Sequence, residues 1–194
     1  MKRLKKKMRP QTRERGFTTV ELLTVFAIVA IMVSLAVFSF HEMAARSRLK
    51  AAARDIVSNM QLTRINALKS SSAWAVQFDT NSTTYRILSD KGADGTWNTS
   101  DDTVFRTVDF SAYPGISYGS TGNPPERPGA TASPADAVSF GGVSENNRVN
   151  FNPDGTSISG TVYIKNKDGD TFAVGSLSTT GRIKTWHYHG GVWE

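Results

Sequence analysis

The chain has 194 residues, a formal net charge of +6 and no cysteine. The lack of cysteine excludes a disulfide framework, a thiolate nucleophile and a cysteine-ligated metal centre. The positive charge lies in residues 1–16, which hold eight Lys or Arg residues and one Glu, whereas residues 17–194 have a net charge of −1. The body of the chain therefore lacks the basic footprint that is usual for nucleic-acid-binding proteins.

An uncharged apolar run, residues 22–40, follows the basic leader. As a helix it would span roughly 28 Å, close to the ~30 Å hydrocarbon core of a bilayer. Basic flanks stay cytoplasmic, so the pattern predicts a single-pass inner-membrane protein with a cytoplasmic N-terminus and a periplasmic C-terminal domain. A cleaved signal peptide fits less well because its apolar region is only about 7–15 residues long. A plain single-pass anchor is the simplest alternative.

Glu21 stands at the start of this run, and a carboxylate beside lipid usually marks a function or a partner. Its surroundings closely resemble the processing site of type IV prepilins and type II secretion pseudopilins. The resemblance implies that a prepilin peptidase cleaves between Gly16 and Phe17 and methylates Phe17. It also implies that Glu21 pairs with the N-terminal amine of a neighbouring subunit. The residues that carry the resemblance are Gly16-Phe17-Thr18-Thr19-Val20-Glu21-Leu22-Leu23.

The helix is predicted to continue to about residue 72, because no Gly or Pro occurs between Phe17 and Lys91. After Phe40 the pattern becomes amphipathic, with apolar residues at steps of three, four and seven. We therefore expect a leader over 1–16 that is removed, a transmembrane and assembly half over 17–40, and an amphipathic half over 41–72. The stripe expected to face the core consists of Leu49, Ala53, Ile56, Met60 and Ala67.

Residues 73–194 are predicted to form a β-rich globular domain. Residues 119–137, rich in Gly and Pro, are expected to form a mobile surface loop. The predicted fold is α+β, with the long N-terminal helix packed on a mostly antiparallel β-sheet in the manner of a pilin. The predicted strands cover residues 74–78, 84–88, 103–110, 148–152, 160–166, 171–177 and 182–187.

The last third of the chain resembles the GspH/FimT branch of minor pseudopilins and minor pilins. This implies a structural subunit that assembles into a pilus or a type II secretion pseudopilus. Its implied partners are other pilins or pseudopilins, the prepilin peptidase and methyltransferase, and the inner membrane, with DNA or a secreted client as further candidates. The segments that carry the resemblance are residues 149–155, 160–164 and 181–184.

A candidate DNA-binding face lies near the C-terminus. Arg182, Lys184 and Trp186 share one face of a predicted strand, and Arg148 is expected to lie nearby. Basic side chains beside an aromatic ring suit a phosphate backbone with stacked bases. FimT-type minor pilins are associated with DNA uptake, so the alternative function is a pilus-associated DNA-binding module. The competing interpretation is an ordinary solvated strand.

Residues 90–102 resemble an acidic calcium loop, with Asp90, Asp94, Asp101 and Asp102 as candidate ligands. Gly92 replaces one expected ligand, and an Asp stands where a bidentate Glu belongs. A solvated Asx and Gly turn is therefore the favoured interpretation.

No metal site, cofactor or catalytic residue is predicted. The sequence lacks a nucleophile elbow, an H-E-x-x-H zinc motif and a phosphate-binding loop. His187 and His189 have a spacing that suits a metal, but the sequence suggests no third ligand. We therefore expect a structural protein rather than an enzyme.

Overall fold

The computed structural model describes residues 16–121, 137–140, 147–177, 180–189 and 191–194, with side chains omitted at 36–41. It divides into two compact units, Met1–His41 and Glu42–Glu194. The leader over residues 1–15 and most of the predicted mobile loop, residues 122–136, lie outside the described residues.

A single helix, α1, covers Thr19–Ser70. It begins two residues after the predicted start, because Thr18 caps it. It ends two residues before the predicted end, where Ser71 adopts a φ of 52°. Within the second unit, one face of α1 is buried. The predicted apolar stripe is confirmed, since Leu49, Ala53, Ile56, Met60 and Ala67 are all at most 2% exposed.

In the described part of the chain the strands form two antiparallel sheets rather than the single sheet that the sequence predicted. The first has the order β3-β2-β1-β5, and the second has the order β4-β6-β7-β8-β9. After β3 a 3₁₀ turn at Phe110–Ala112 leads out of the first sheet, and β5 later returns to pair with β1. The strands are β1 Trp74–Asp79, β2 Thr84–Asp90, β3 Thr103–Asp109, β4 Ser117–Tyr118, β5 Arg148–Phe151, β6 Gly160–Lys165, β7 Thr171–Leu177, β8 Arg182–His189 and β9 Val192–Trp193.

Six of these strands confirm predicted ones with ends shifted by at most two residues, and β7 matches its predicted bounds. Local alternation and β-branched content therefore located the strands, while the division into two sheets depends on pairing between distant segments.

One hydrophobic core joins the amphipathic half of α1 to both sheets. Leu49 and Ile56 of α1 belong to the same buried cluster as Phe151 of the first sheet and Val174 of the second. At the edge of this core a directional polar contact joins α1 to β2, since the Asn59 amide donates to the Tyr85 hydroxyl at 2.7 Å. The second unit is thus a helix packed on two sheets.

Candidate functional site

The start of α1 is a capping box formed by Thr18 and Glu21. The Thr18 backbone N–H and hydroxyl donate to Glu21 Oε2 at 2.9 and 3.0 Å, and the Glu21 N–H donates to the Thr18 hydroxyl at 3.2 Å. This pairing satisfies two backbone N–H groups that a first helical turn otherwise leaves open. Oε1 of Glu21 makes no hydrogen bond to any described residue. The carboxylate therefore caps the helix and keeps one oxygen free.

The bond between Gly16 and Phe17 lies in non-helical backbone just before this cap. Both residues are exposed, Phe17 by 88%. A Cβ built on Gly16 would have no neighbour within 4 Å beyond the adjacent residues. The predicted scissile bond is therefore accessible within the described part of the chain.

The first half of α1 presents apolar side chains to solvent. Within the described residues, no helix is both long enough and apolar enough to span a membrane. Because successive exposed apolar positions are only one or two residues apart, they cover every face of the helix. Each of the following is at least 47% exposed: Leu22, Leu23, Val25, Phe26, Ile28, Val29, Ile31, Met32, Val33 and Leu35. An apolar surface of this extent is typical of an interaction site.

The predicted basic strand is β8, in the second sheet. Arg182 and Lys184 are exposed and Trp186 is half-buried. Strand alternation puts the three residues on one face, as predicted. This face therefore presents two positive charges to solvent.

The structure does not add Arg148 to that face. Arg148 lies in β5 of the first sheet, is only 7% exposed, and donates from Nε to Asn150 Oδ1 at 2.7 Å. Its guanidinium lies 5.9 Å from the centre of the Trp97 ring. The Arg148 guanidinium thus contacts neighbouring side chains and does not add a charge to the exposed face of β8.

The four aspartates of the candidate calcium loop bind the loop's own backbone instead of converging. Among the described residues, one group of three or more metal-ligating side chains converges, and these four aspartates do not belong to it. This is the geometry of the favoured interpretation, a turn held by Asx hydrogen bonds. The bonds run from the N–H of Gly92 to Asp90 at 3.0 Å, Thr96 to Asp94 at 2.8 Å, Ala93 to Asp101 at 2.7 Å and Asn98 to Asp102 at 2.6 Å.

The group that does converge consists of Asp170, His187 and His189. The pairing of Thr171 with Tyr188 brings the start of β7 beside the end of β8, so Asp170 faces the two histidines. Asp170 Oδ1 lies 2.9 Å from His189 Nδ1 and 3.9 Å from His187 Nε2. One ligand atom from each of the three residues lies within 4.8 Å of the others.

The other carboxylate oxygen of Asp170 is restrained by two hydrogen bonds. Oδ2 accepts from Arg46 Nε at 3.2 Å and from the Asn166 amide at 3.3 Å. The Phe172 ring stacks on the His187 imidazole with their centres 4.4 Å apart. The carboxylate and one imidazole are therefore fixed in orientation.

The charge states of this cluster follow from its burial and contacts. Burial raises the pKa of Asp170, but hydrogen bonds from His189 and Arg46 outweigh burial and leave that pKa below its ordinary value. Burial lowers the pKa of His187, although the charge of Asp170 opposes this. At neutral pH the carboxylate is thus ionised and the His187 ring is uncharged.

Sequence reasoning missed Asp170 as a partner of the histidines, and it missed the capping role of Glu21. The Thr-x-x-Glu pattern at residues 18–21 is itself a signal for a capping box. Asp170 directly precedes the predicted strand over residues 171–177, so antiparallel pairing of that strand with the next one would have placed it opposite His189.

One family model and two solved structures are similar to parts of this chain. The family model described as Type II transport protein GspH matches residues 52–181, more than half of the chain. A structure of the minor pseudopilin EpsH from the Type 2 Secretion System of Vibrio cholerae is similar over 71% of this chain and 95% of that chain, with 14% identity and a TM-score of 0.47. A crystal structure of the same pseudopilin covers 72% and 93%, with 16% identity and a TM-score of 0.45. No curated protein sequence matches the chain.

Proposed function

Because the chain belongs to the GspH family of type II transport proteins, we propose that it is a minor pseudopilin, a structural subunit of a type II secretion pseudopilus. The match over residues 52–181 carries this proposal, since it includes most of the amphipathic half of α1 and the strands from β1 to β7. The family description favours a secretion pseudopilus over a type IV pilus. The proposed role is assembly with other pseudopilins rather than catalysis.

The proposed maturation step is cleavage between Gly16 and Phe17 by a prepilin peptidase, followed by methylation of Phe17. The exposed, non-helical backbone at this bond supports the proposal, because a peptidase requires an accessible and extended substrate. Cleavage would remove residues 1–16 with their charge of +7. It would leave Thr18 and Glu21 in place, so the capping box would survive.

Before assembly, we place residues 17–40 in the inner membrane, with the leader in the cytoplasm and residues 73–194 in the periplasm. The uncharged run over 22–40 and the basic leader support this topology. The exposed apolar side chains between Leu22 and Leu35 need a cover, and lipid provides one. Residues 41–72 then connect this segment to the β-domain.

During assembly, the same apolar surface would pass from lipid to the helices of neighbouring subunits. Glu21 would pair with the N-terminal amine of a neighbour, because two opposite charges buried together cost far less than either one alone. The unbonded Oε1 supports this role, since it can accept a hydrogen bond without opening the cap. Glu21 would thus fix the register between adjacent helices.

The proposal is tested in a secreting host strain from which this chain has been deleted. We expect secretion to fall and to recover with the wild-type chain. The absence of cysteine allows a unique label, so Phe26→Cys carrying a photo-crosslinker should capture other pseudopilins, whereas Thr107→Cys in β3 should capture fewer. Unchanged secretion after deletion, together with no pseudopilin captured from Phe26→Cys, would overturn the proposal.

A second function, DNA binding for uptake, is supported by the exposed pair Arg182 and Lys184 beside Trp186. DNA held this way should shift in a gel at low salt and be released as salt rises. Arg182→Ala/Lys184→Ala should abolish the shift, whereas Lys69→Ala/Arg106→Ala, with the same charge loss elsewhere, should retain it. No shift of DNA by the wild-type chain at low salt would exclude this function. A secreted client would then be the remaining candidate partner besides the assembly partners.

A further inference from the structure

We propose that Asp170, His187 and His189 form a Zn²⁺ site at the end of β8. The site lies in the second unit and is independent of the pseudopilin proposal. Two imidazole nitrogens and one carboxylate oxygen already converge within 4.8 Å. This donor set is one that zinc takes in proteins, with three protein ligands and a fourth position for water.

The distances are close to those that zinc requires. Bonds of about 2.0–2.2 Å in a tetrahedron place neighbouring ligand atoms about 3.3–3.6 Å apart. The separation between Asp170 Oδ1 and His189 Nδ1 is 2.9 Å, and that between Oδ1 and His187 Nε2 is 3.9 Å. To reach that geometry, each of these two separations would change by about half an ångström.

His187 supplies an independent indication of a ligand. Its Nε2 is buried and makes no hydrogen bond in the described part of the chain. A buried nitrogen without a partner costs free energy, so such groups usually have a bound water, ion or metal. Nε2 faces Asp170 Oδ1 at 3.9 Å, which is too long for a hydrogen bond but leaves room for an ion to bridge the two.

The groups around the cluster act as an outer shell. Arg46 and Asn166 hold Oδ2, so Oδ1 is directed at the histidines. Phe172 stacks on His187 and restrains its ring. Such contacts orient metal ligands in known sites, and their loss typically weakens metal binding about 10–100-fold.

Access and charge also suit a cation. A cavity of about 310 Å³ opens beside Asp170 and His189, and Glu42 and Asp168 line it. Their two carboxylates offset the positive charge of Arg46, which lines the same cavity. A fourth ligand, most simply water, could reach the metal from this side. The bound ion would tie the end of β8 to the turn that precedes β7.

The test is a Zn²⁺ titration of the full chain, without an affinity tag, in detergent after chelation and dialysis. We expect one Zn²⁺ per chain, a melting temperature that rises with Zn²⁺, and a Co²⁺ absorption spectrum typical of tetrahedral N and O ligands. Asp170→Asn, His187→Gln and His189→Gln should each weaken Zn²⁺ binding at least tenfold. His41→Gln and Asp154→Asn, which change a histidine and an exposed aspartate outside the proposed site, are matched controls and should bind as the wild type does.

His189 is half exposed, so His189→Gln should fold normally even if changes at the buried Asp170 do not. A wild-type chain that takes up no Zn²⁺ would overturn the proposal. Equal Zn²⁺ affinity in the wild type and in a folded His189→Gln variant would do so as well, as would a loss of binding in His41→Gln.

Discussion

The Glu21 carboxylate accepts the backbone N–H and the hydroxyl of Thr18, at 2.9 and 3.0 Å, within the first turn of α1. The residue proposed to pair with a neighbouring subunit therefore already has a partner in its own chain. Both bonds use the same oxygen, so the two roles are compatible. They are also separable, because a glutamine can close a capping box but carries no charge.

The first prediction uses this difference. Glu21→Gln should keep the capping box and still assemble poorly, because the neighbour's N-terminal amine loses its opposite charge. Glu21→Ala should lose both the box and the charge, while both variants are still inserted and cleaved. Recovery of each variant in sheared pseudopili, relative to its amount in the membrane, measures the effect. Wild-type recovery of Glu21→Gln would show that Glu21 serves only as a helix cap.

The second prediction concerns the face of α1 that packs on the sheets. Ile56 is fully buried, whereas Ile65 on the same helix is 47% exposed. Ile56→Ala should lower the free energy of unfolding by about 2–5 kcal/mol through lost burial and a cavity. Ile65→Ala should cost less than about 1 kcal/mol. Denaturant unfolding of the full chain in detergent measures both, and similar costs would argue against the observed packing face.

The third prediction concerns two glycines with positive φ. Gly181 has a φ of 56°, and a Cβ there would lie 2.3 Å from the Gly155 carbonyl oxygen, whereas Gly95, with a φ of 67°, has open space. Gly95→Ala should cost about 1–2 kcal/mol from its left-handed backbone alone. Gly181→Ala should cost clearly more, because the turn must also shift. Thermal unfolding distinguishes them, and equal melting temperatures would refute the close approach.

The fourth prediction concerns alkaline pH. The Tyr113 hydroxyl donates to Asp55 Oδ2 at 2.6 Å, and this hydrogen bond, more than burial, raises the pKa of Tyr113 above its ordinary value of 10. The folded state therefore keeps the Tyr113 proton at a pH where the unfolded state loses it, above about pH 10. The stability that this hydrogen bond contributes is complete below that pH and declines as pH rises through the folded pKa.

Tyr113→Phe should lower the free energy of unfolding near neutral pH by about 1 kcal/mol. It should also reduce the fall in stability between about pH 9 and pH 11. Urea unfolding at several pH values measures both quantities. Identical slopes for Tyr113→Phe and the wild type would show that the Tyr113 proton is not linked to folding.

Much of the fold could be predicted from the sequence because it depends on local pattern. The spacing of Leu49, Ile56 and Met60 identified the buried face of α1, and alternation located seven strands. The division into two sheets could not be predicted in this way. It depends on β5 pairing with β1 across about seventy residues, a contact that no local pattern specifies.

The candidate sites also differ in whether a local pattern or a distant strand pairing defines them. Gly16, Phe17 and Glu21 lie within six residues of one another, so a local motif is enough to predict them as a processing and assembly site. Arg148 was grouped with Arg182 although the two residues belong to different sheets. Asp170 was overlooked because its relation to His189 exists only once β7 and β8 pair.

The most direct test of the account is the N-terminus of the mature chain. Mass spectrometry of the protein isolated from host membranes should find a first residue of N-methylated Phe17, and a strain without the prepilin peptidase should retain residues 1–16. A mature chain that begins at Met1, or at any residue other than Phe17, would contradict the proposed processing and the assembly mechanism that depends on it.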